Sequence, residues 1–228
     1  MYRLIFPITA LVFMLFSCQD PDIHSNLQKV VEYSEDSILC ATYYMDDSNR
    51  IQGIFSVTDM DGHLVLEKNY VDGLLNGSEK NYYTNGQLEG EYHLKDGLYE
   101  GAYKTYSEEG HVLSEGNYKE NMIDGELRTY YDNEQLKEVV TMQHNMTNGP
   151  FKEFDEEGLL VAEGSYVYDG EKDGLEDGLL LLYENNQLVK QMICDTGLCC
   201  TTWTLEKGDI SPVNDLCKGI IQRRKPIK

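Results

Sequence analysis

Five glycines stand at a constant spacing of 24 residues: Gly53, Gly77, Gly101, Gly125 and Gly149. A sixth, Gly178, follows after 29, with the extra residues inside the acidic stretch Asp169-Gly170-Glu171-Lys172-Asp173-Gly174. Other positions keep this phase. Five residues after each glycine come Thr58, Tyr82, Tyr106, Tyr130, Phe154 and Tyr183. Before it runs a hexapeptide, Asp72-Gly73-Leu74-Leu75-Asn76-Gly77, which returns as Asp96-Gly97-Leu98-Tyr99-Glu100-Gly101 and, more loosely, before Gly125, Gly149 and Gly178. A fixed period in this range means stacked copies of one supersecondary unit.

Each copy holds two strand-like runs and two turns. In the second, Gly77 to Tyr83 and Gln87 to Leu94 are the runs, and Thr84-Asn85-Gly86 and Lys95-Asp96-Gly97 the turns. Asn-Gly and Asp-Gly tolerate the positive φ that tight hairpins need. Twelve residues per strand and turn leave no room for a crossover helix, so neighbouring strands must be antiparallel. The expectation is an all-β, elongated, single-layer antiparallel meander of about six two-stranded repeats over residues 46–192. Twelve strands at ~4.8 Å make a ribbon roughly 55 Å long. Seventeen Tyr against six Phe suit a sheet that is wet on part of its surface.

The ends differ from the array. Residues 1–17 carry one cation, Arg3, and an apolar run too short to span a bilayer of roughly 30 Å, as in a signal segment. Leu15-Phe16-Ser17-Cys18 resembles the lipobox of bacterial lipoproteins, with bulky Phe16 as a departure; the resemblance implies lipid attachment at Cys18 and a place in the cell envelope, on the outer membrane's periplasmic or surface face. An ordinary cleaved signal is the alternative. Asp20 and Asp22 look like the surface-export signals of Bacteroidetes lipoproteins, and Asp36-Ser37-Ile38 like their O-glycosylation site. Residues 18–45 then read as tether and N-terminal cap. Residues 193–228 read as a C-terminal cap with a basic tail, which could touch an anionic surface or simply fray. In an oxidising compartment Cys40, Cys194, Cys199, Cys200 and Cys217 allow two disulfides and one odd thiol, and their spacing lacks the paired C-x2-C of a zinc ribbon.

The repeats resemble the MORN repeat in its variant bacterial form, with a consensus near G-x-W-K-x-Y-x-x-x-G-x-L. The third copy carries Gly101, Tyr103, Lys104, Tyr106, Gly110 and Leu113, and the fifth Gly149, Phe151, Lys152, Phe154, Gly158 and Leu160. The second has Glu79 in the first aromatic place, and the fourth Glu134 for the turn glycine. The resemblance covers about two thirds of the chain and implies a non-enzymatic interaction ribbon. Many bacterial proteins with such repeats are labelled antitoxin components, which implies an antitoxin or immunity role as the alternative, and an accessory carbohydrate-binding module is a third.

Two columns follow from the period. The rings at the fifth position after the glycine (Tyr82, Tyr106, Tyr130, Phe154, Tyr183) are expected to form a core stripe, each lying over a ladder glycine of the adjoining repeat. Lys80, Lys104, Arg128 and Lys152, at the third position, form a basic column on the same strand face unless a bulge intervenes. Either its charges meet the chain's many carboxylates or it recruits an acidic partner. His63 and His111 stand two repeats apart, roughly 20 Å, and no metal site, cofactor site or catalytic residue is expected. Asp59-Met60-Asp61-Gly62 and Asp169-Gly170 echo calcium loops without the closing Glu. The formal charge of -21 makes nucleic acid an unsuitable partner, which leaves an unknown protein or envelope component, and the membrane through the anchor.

Overall fold

The computed structural model describes residues 26–35, 38–212 and 214–224, and is one open antiparallel sheet of 19 strands with a short C-terminal helix. The expected signal segment, Cys18, Asp20, Asp22, Ser37 and the tail beyond residue 224 lie outside the described residues. Two strands, β1 (Gln28–Tyr33) and β2 (Leu39–Met45), precede the array. The six repeats follow. They are β3 (Ile51–Asp59) with β4 (Leu64–Val71), and β5 (Leu74–Tyr82) with β6 (Leu88–Lys95). Next come β7 (Leu98–Tyr99) and β8 (Gly101–Tyr106) with β9 (Val112–Lys119), then β10 (Met122–Ile123) and β11 (Gly125–Tyr130) with β12 (Leu136–Gln143). The last two are β13 (Met146–Phe154) with β14 (Leu160–Val167), and β15 (Leu175–Glu176) and β16 (Gly178–Glu184) with β17 (Gln187–Asp195). Each strand pairs antiparallel with the preceding one, the short β7, β10 and β15 lying on the same neighbour as the β8, β11 and β16 that follow them, so the array is a meander. The strand count exceeds twelve because three repeat strands are split just before the ladder glycine and because both ends add strands.

That glycine marks a bulge. Between the pairs Lys68↔Glu79 and Tyr70↔Leu75, the three residues Asn76-Gly77-Ser78 stand opposite the single Asn69. Asn148-Gly149-Pro150 stand likewise opposite Thr141. Accommodating the extra residues needs φ of +116° at Gly77 and +131° at Gly149, a region that L side chains avoid. The facing side chain bonds into the bulge: Asn69 Nδ2 donates to Ser78 O (3.3 Å), and Thr141 Oγ1 to Pro150 O (3.0 Å). On its other side the glycine is in register with a bulky residue: Gly77 with Leu94, Gly101 with Tyr118, Gly125 with Met142, Gly149 with Tyr166.

Repeats are laced along one margin by turn-to-strand bonds that recur in phase. Gly97 N donates to Leu75 O, Asn121 N to Tyr99 O and Asn145 N to Ile123 O, at 2.8–3.0 Å. At the other margin Tyr83 Oη donates to Tyr106 O and Tyr131 Oη to Phe154 O, two repeats apart. The buried cluster lies on one face: Val140, Met142, Phe151, Ala162, Leu180 and Cys194.

Beyond the array come β18 (Leu198–Thr204), β19 (Gly208–Asp209) and α1 (Asp215–Arg224). Cys194 and Cys199 bridge the β17–β18 hairpin, and Cys200 and Cys217 tie β18 to α1, while Cys40 on β2 is a free thiol. α1 begins with Asn214 Oδ1 accepting from Cys217 N (2.8 Å) and packs on β17 and β18 with Ile220 1% exposed. The tail was not expected to hold a helix. Its signal was the capping Asn214 ahead of Asp215 in the first turn.

Candidate interaction surface

The basic column is half of a ladder. Directly opposed residues in an antiparallel sheet share a face, and following the register across the ribbon gives one continuous row. Glu67 faces Lys80, Lys80 faces Glu91, Glu91 faces Lys104, Lys104 faces Glu115, and Glu115 faces Arg128. Arg128 then faces Val139, Val139 faces Lys152, and Lys152 faces Glu163. Acid and base alternate from strand to strand with one interruption, Val139. The acidic column Glu67, Glu91, Glu115 and Glu163 keeps the same spacing of 24 residues, doubled across Val139, and so was present in the sequence.

The pairs are made. Lys80 Nζ stands 3.5 Å from Glu91, Lys104 Nζ 2.7 Å from Glu115 and Lys152 Nζ 3.1 Å from Glu163. Arg128, lacking an acid directly across on β12, reaches back to Glu115 (3.4 Å) and to Glu126 on its own strand. Tyrosines join from the same face: Tyr130 Oη donates to Glu115 Oε1 (2.8 Å) and Tyr183 Oη to Glu163 Oε1 (2.7 Å). Hydrogen bonds from Lys104 and Tyr130 hold the Glu115 carboxyl below its ordinary range, and those from Tyr183 and Lys152 do so for Glu163. Glu115 in turn raises Lys104. The lysines thus serve the neighbouring carboxylates.

At Val139 the row opens into a cleft of about 470 Å³, lined by Glu126, Arg128, Leu136, Val139, Thr141, Pro150, Phe151 and Lys152. Its floor is apolar and a cation stands on each side. Nothing in the period announced this opening except the single missing acid.

The ring-over-glycine expectation is corrected. Tyr82, Tyr106, Tyr130, Phe154 and Tyr183 are half-buried on the ladder face, and no ring is among the nearest neighbours of a β-carbon position at Gly53, Gly77, Gly101, Gly125, Gly149 or Gly178. Rings lie instead over other glycines: Tyr103 on Gly116 and Phe151 on Gly164, at the second position after the ladder glycine and on the opposite face, and Tyr92 on Gly90 two residues earlier in its own strand. Alternation along the strand decides this: the second position faces the core and the third faces the ladder. Around Tyr103 the rings of Tyr92, Tyr99 and Tyr118 pack with centroids 4.8–6.5 Å apart. Glu79, which replaces the ring in the second repeat, is 5% exposed, ion-paired with Lys68 directly across (3.2 Å) and accepts from Tyr99 Oη. Burial, with Glu79 beside it, pushes the Tyr99 hydroxyl up to about 12.

Asp59, Asp61 and His63 offer ligand atoms within 4.8 Å of one another. The grouping is a turn: Asp59 Oδ1 accepts from the N–H groups of Asp61 and His63, just as Asp155 Oδ1 accepts from Glu157 and Leu159 in the equivalent turn four repeats on.

Three consecutive stretches, residues 75–96, 99–120 and 123–144, match the family model described as the MORN repeat variant. Each begins at or just after the tight turn and contains the ladder glycine, one ladder cation and one hairpin, with a register shift where the first strand of the hairpin ends. Repeats of this kind are non-catalytic and mediate interactions with proteins or membranes. Comparison with curated proteins finds no match.

Proposed function

We propose that this chain, three of whose repeats match the MORN repeat variant, is a non-enzymatic scaffold of the cell envelope, held to a membrane by lipid at Cys18 and presenting its ribbon to a protein partner. The observation that carries the reading is the charge ladder. It balances base against acid along one row of a strongly acidic chain and lacks one acid, at Val139, where a cleft lies between Arg128 and Lys152. A partner carboxylate beside an apolar group would complete the row there, since an acid occupies the equivalent place in the other repeats from Glu67 to Glu163. Such an exposed contact discriminates and orients more than it binds tightly.

Two measurements test this. Incorporation of labelled palmitate should be lost in Cys18→Ala; retained label would refute the anchor. Capture of envelope proteins on the immobilised chain should yield a partner whose retention falls in Val139→Glu, which fills the opening. Retention equal to that of the parent chain would remove the cleft from the reading, and recovery of a toxic protein would favour an immunity role.

A further inference from the structure

The two ends of the sheet are finished differently. At the C-terminal end α1 is disulfide-tied over β17 and β18, and β19 is only two residues long. Short, covered edges of this sort resist further pairing. At the other end β1 spans six residues, Gln-Lys-Val-Val-Glu-Tyr, without proline or bulge in its pairing with β2. Among the described residues β2 is its only neighbour, so one whole row of β1 N–H and C=O groups faces outward. Its outer-face side chains are among the most exposed large apolar groups of the chain, Val31 at 46% and Tyr33 at 65%.

We infer that β1 pairs antiparallel with β1 of a second copy of this chain, joining two ribbons into one continuous sheet about a two-fold axis at Val31. The symmetry fixes most of this. Two identical edge strands can pair antiparallel only about an axis normal to the sheet, which keeps each face continuous across the junction. Opposed residues must then share a face, so the axis must pass through a residue that meets its own copy. Centring on Val31 brings Lys29 directly opposite Tyr33 of the second copy twice over, an ammonium beside a ring, with Val31 on Val31 between them. On the other face Glu32 falls opposite Val30 rather than opposite its own copy. Centring on Val30 would leave Tyr33 outside the pairing and place Lys29 against Val31. The Val31 register covers the exposed apolar row and opposes no like charges.

A strand pair alone is small beside a standard interface of ~1,600 Å², so association on the order of micromolar or weaker is expected. With a formal charge of -21 on each copy, it should strengthen as salt rises.

The test uses the full chain in mild detergent, carrying Cys40→Ser so that an added thiol is distinguishable. Sedimentation at a concentration on the order of 100 μM should show a dimer, more of it in high salt. Oxidation should cross-link Val31→Cys, because opposed Cα atoms at about 4.5–5.5 Å lie within disulfide reach, and should leave Val30→Cys no more cross-linked than the parent. Val31→Pro, which disrupts the outward pairing row, should sediment as a monomer. A monomer at all salt concentrations, with Val31→Cys cross-linking no more than the parent, would overturn the inference, as would cross-linking through Val30→Cys instead.

Discussion

The ring of Phe151 lies on the backbone of Gly164: a β-carbon at Gly164 would stand 2.9 Å from Phe151 Cε1 and 3.3 Å from Leu179 O. Phe151 has no free space to retreat into, since it is 3% exposed and belongs to the buried cluster, and Leu179 O is backbone. Gly164→Ala should therefore destabilise the chain by about 1–3 kcal/mol through overpacking, measured by urea denaturation. Phe151→Leu in the same chain should recover part of that loss, giving a favourable coupling of at least ~0.5 kcal/mol in a double-mutant cycle. Gly101→Ala should cost about as much for a different reason. Its φ is +101° and only His93 Cβ comes within 4 Å, so the cost is backbone strain that Tyr103→Leu does not relieve.

That contrast shows what the sequence carried. The period, the hairpins and the antiparallel meander are all local in cause, and a spacing of 24 residues is enough to reveal them. Which ring lies over which glycine is not local. It depends on a register that brings Tyr103 opposite Gly116, and on the bulge that fixes which residues of each strand face the core. The basic column was legible as residues and illegible as a surface, because its meaning lies in Glu67, Glu91, Glu115 and Glu163 on the alternate strands. Those acids hold the same phase, and a pairing rule applied to both columns would have found the ladder. The disulfide partners needed coordinates, since spacing alone does not distinguish Cys194–Cys199 with Cys200–Cys217 from other pairings.

Val139→Glu restores the missing acid of the ladder between Arg128 and Lys152. A cross-strand charge pair on a sheet surface contributes roughly 0.2–1 kcal/mol. The variant should gain stability within that range in low salt, and the gain should vanish in about 1 M salt, where screening acts over ~3 Å. Thermal melts at the two salt concentrations measure it. A loss of stability in low salt would mean that Val139 contributes more by apolar packing than the completed row returns.

Cys217→Ser should release α1 while sparing the array. The lost bridge spans 17 residues, for which chain-entropy reasoning gives ~3 kcal/mol. Ile220 leaves its buried place on β17 and β18 if α1 detaches, so the amides of α1 should lose hydrogen-exchange protection. Stacked repeats touch only their neighbours, so β5 to β9 should keep theirs. Loss of protection across all repeats would show that the cap holds the whole sheet in register.

Glu138 faces Glu153 directly across β12 and β13, on the core face. Burial, with the Glu153 charge beside it, raises the Glu138 carboxyl above the ordinary glutamate range. The sign follows from proton binding: where a folded-state value exceeds the unfolded one, the folded state holds more protons, so stability falls as pH rises through that interval. Glu138 in its charged form therefore weakens the fold at neutral pH, and Glu138→Gln should raise the melting temperature at pH 7. The advantage should shrink as pH falls toward the ordinary glutamate value, where the parent side chain is protonated too. Glu115 and Glu163 act oppositely, since their lowered values mean stability present above the ordinary glutamate range and lost in acid. Glu115→Gln should accordingly lower the melting temperature at pH 7 and have little effect once the pH lies below the folded-state value of Glu115. Melting curves of both variants across pH 3–8 separate the two contributions, and curves of the same sign at pH 7 would contradict the assignment of faces.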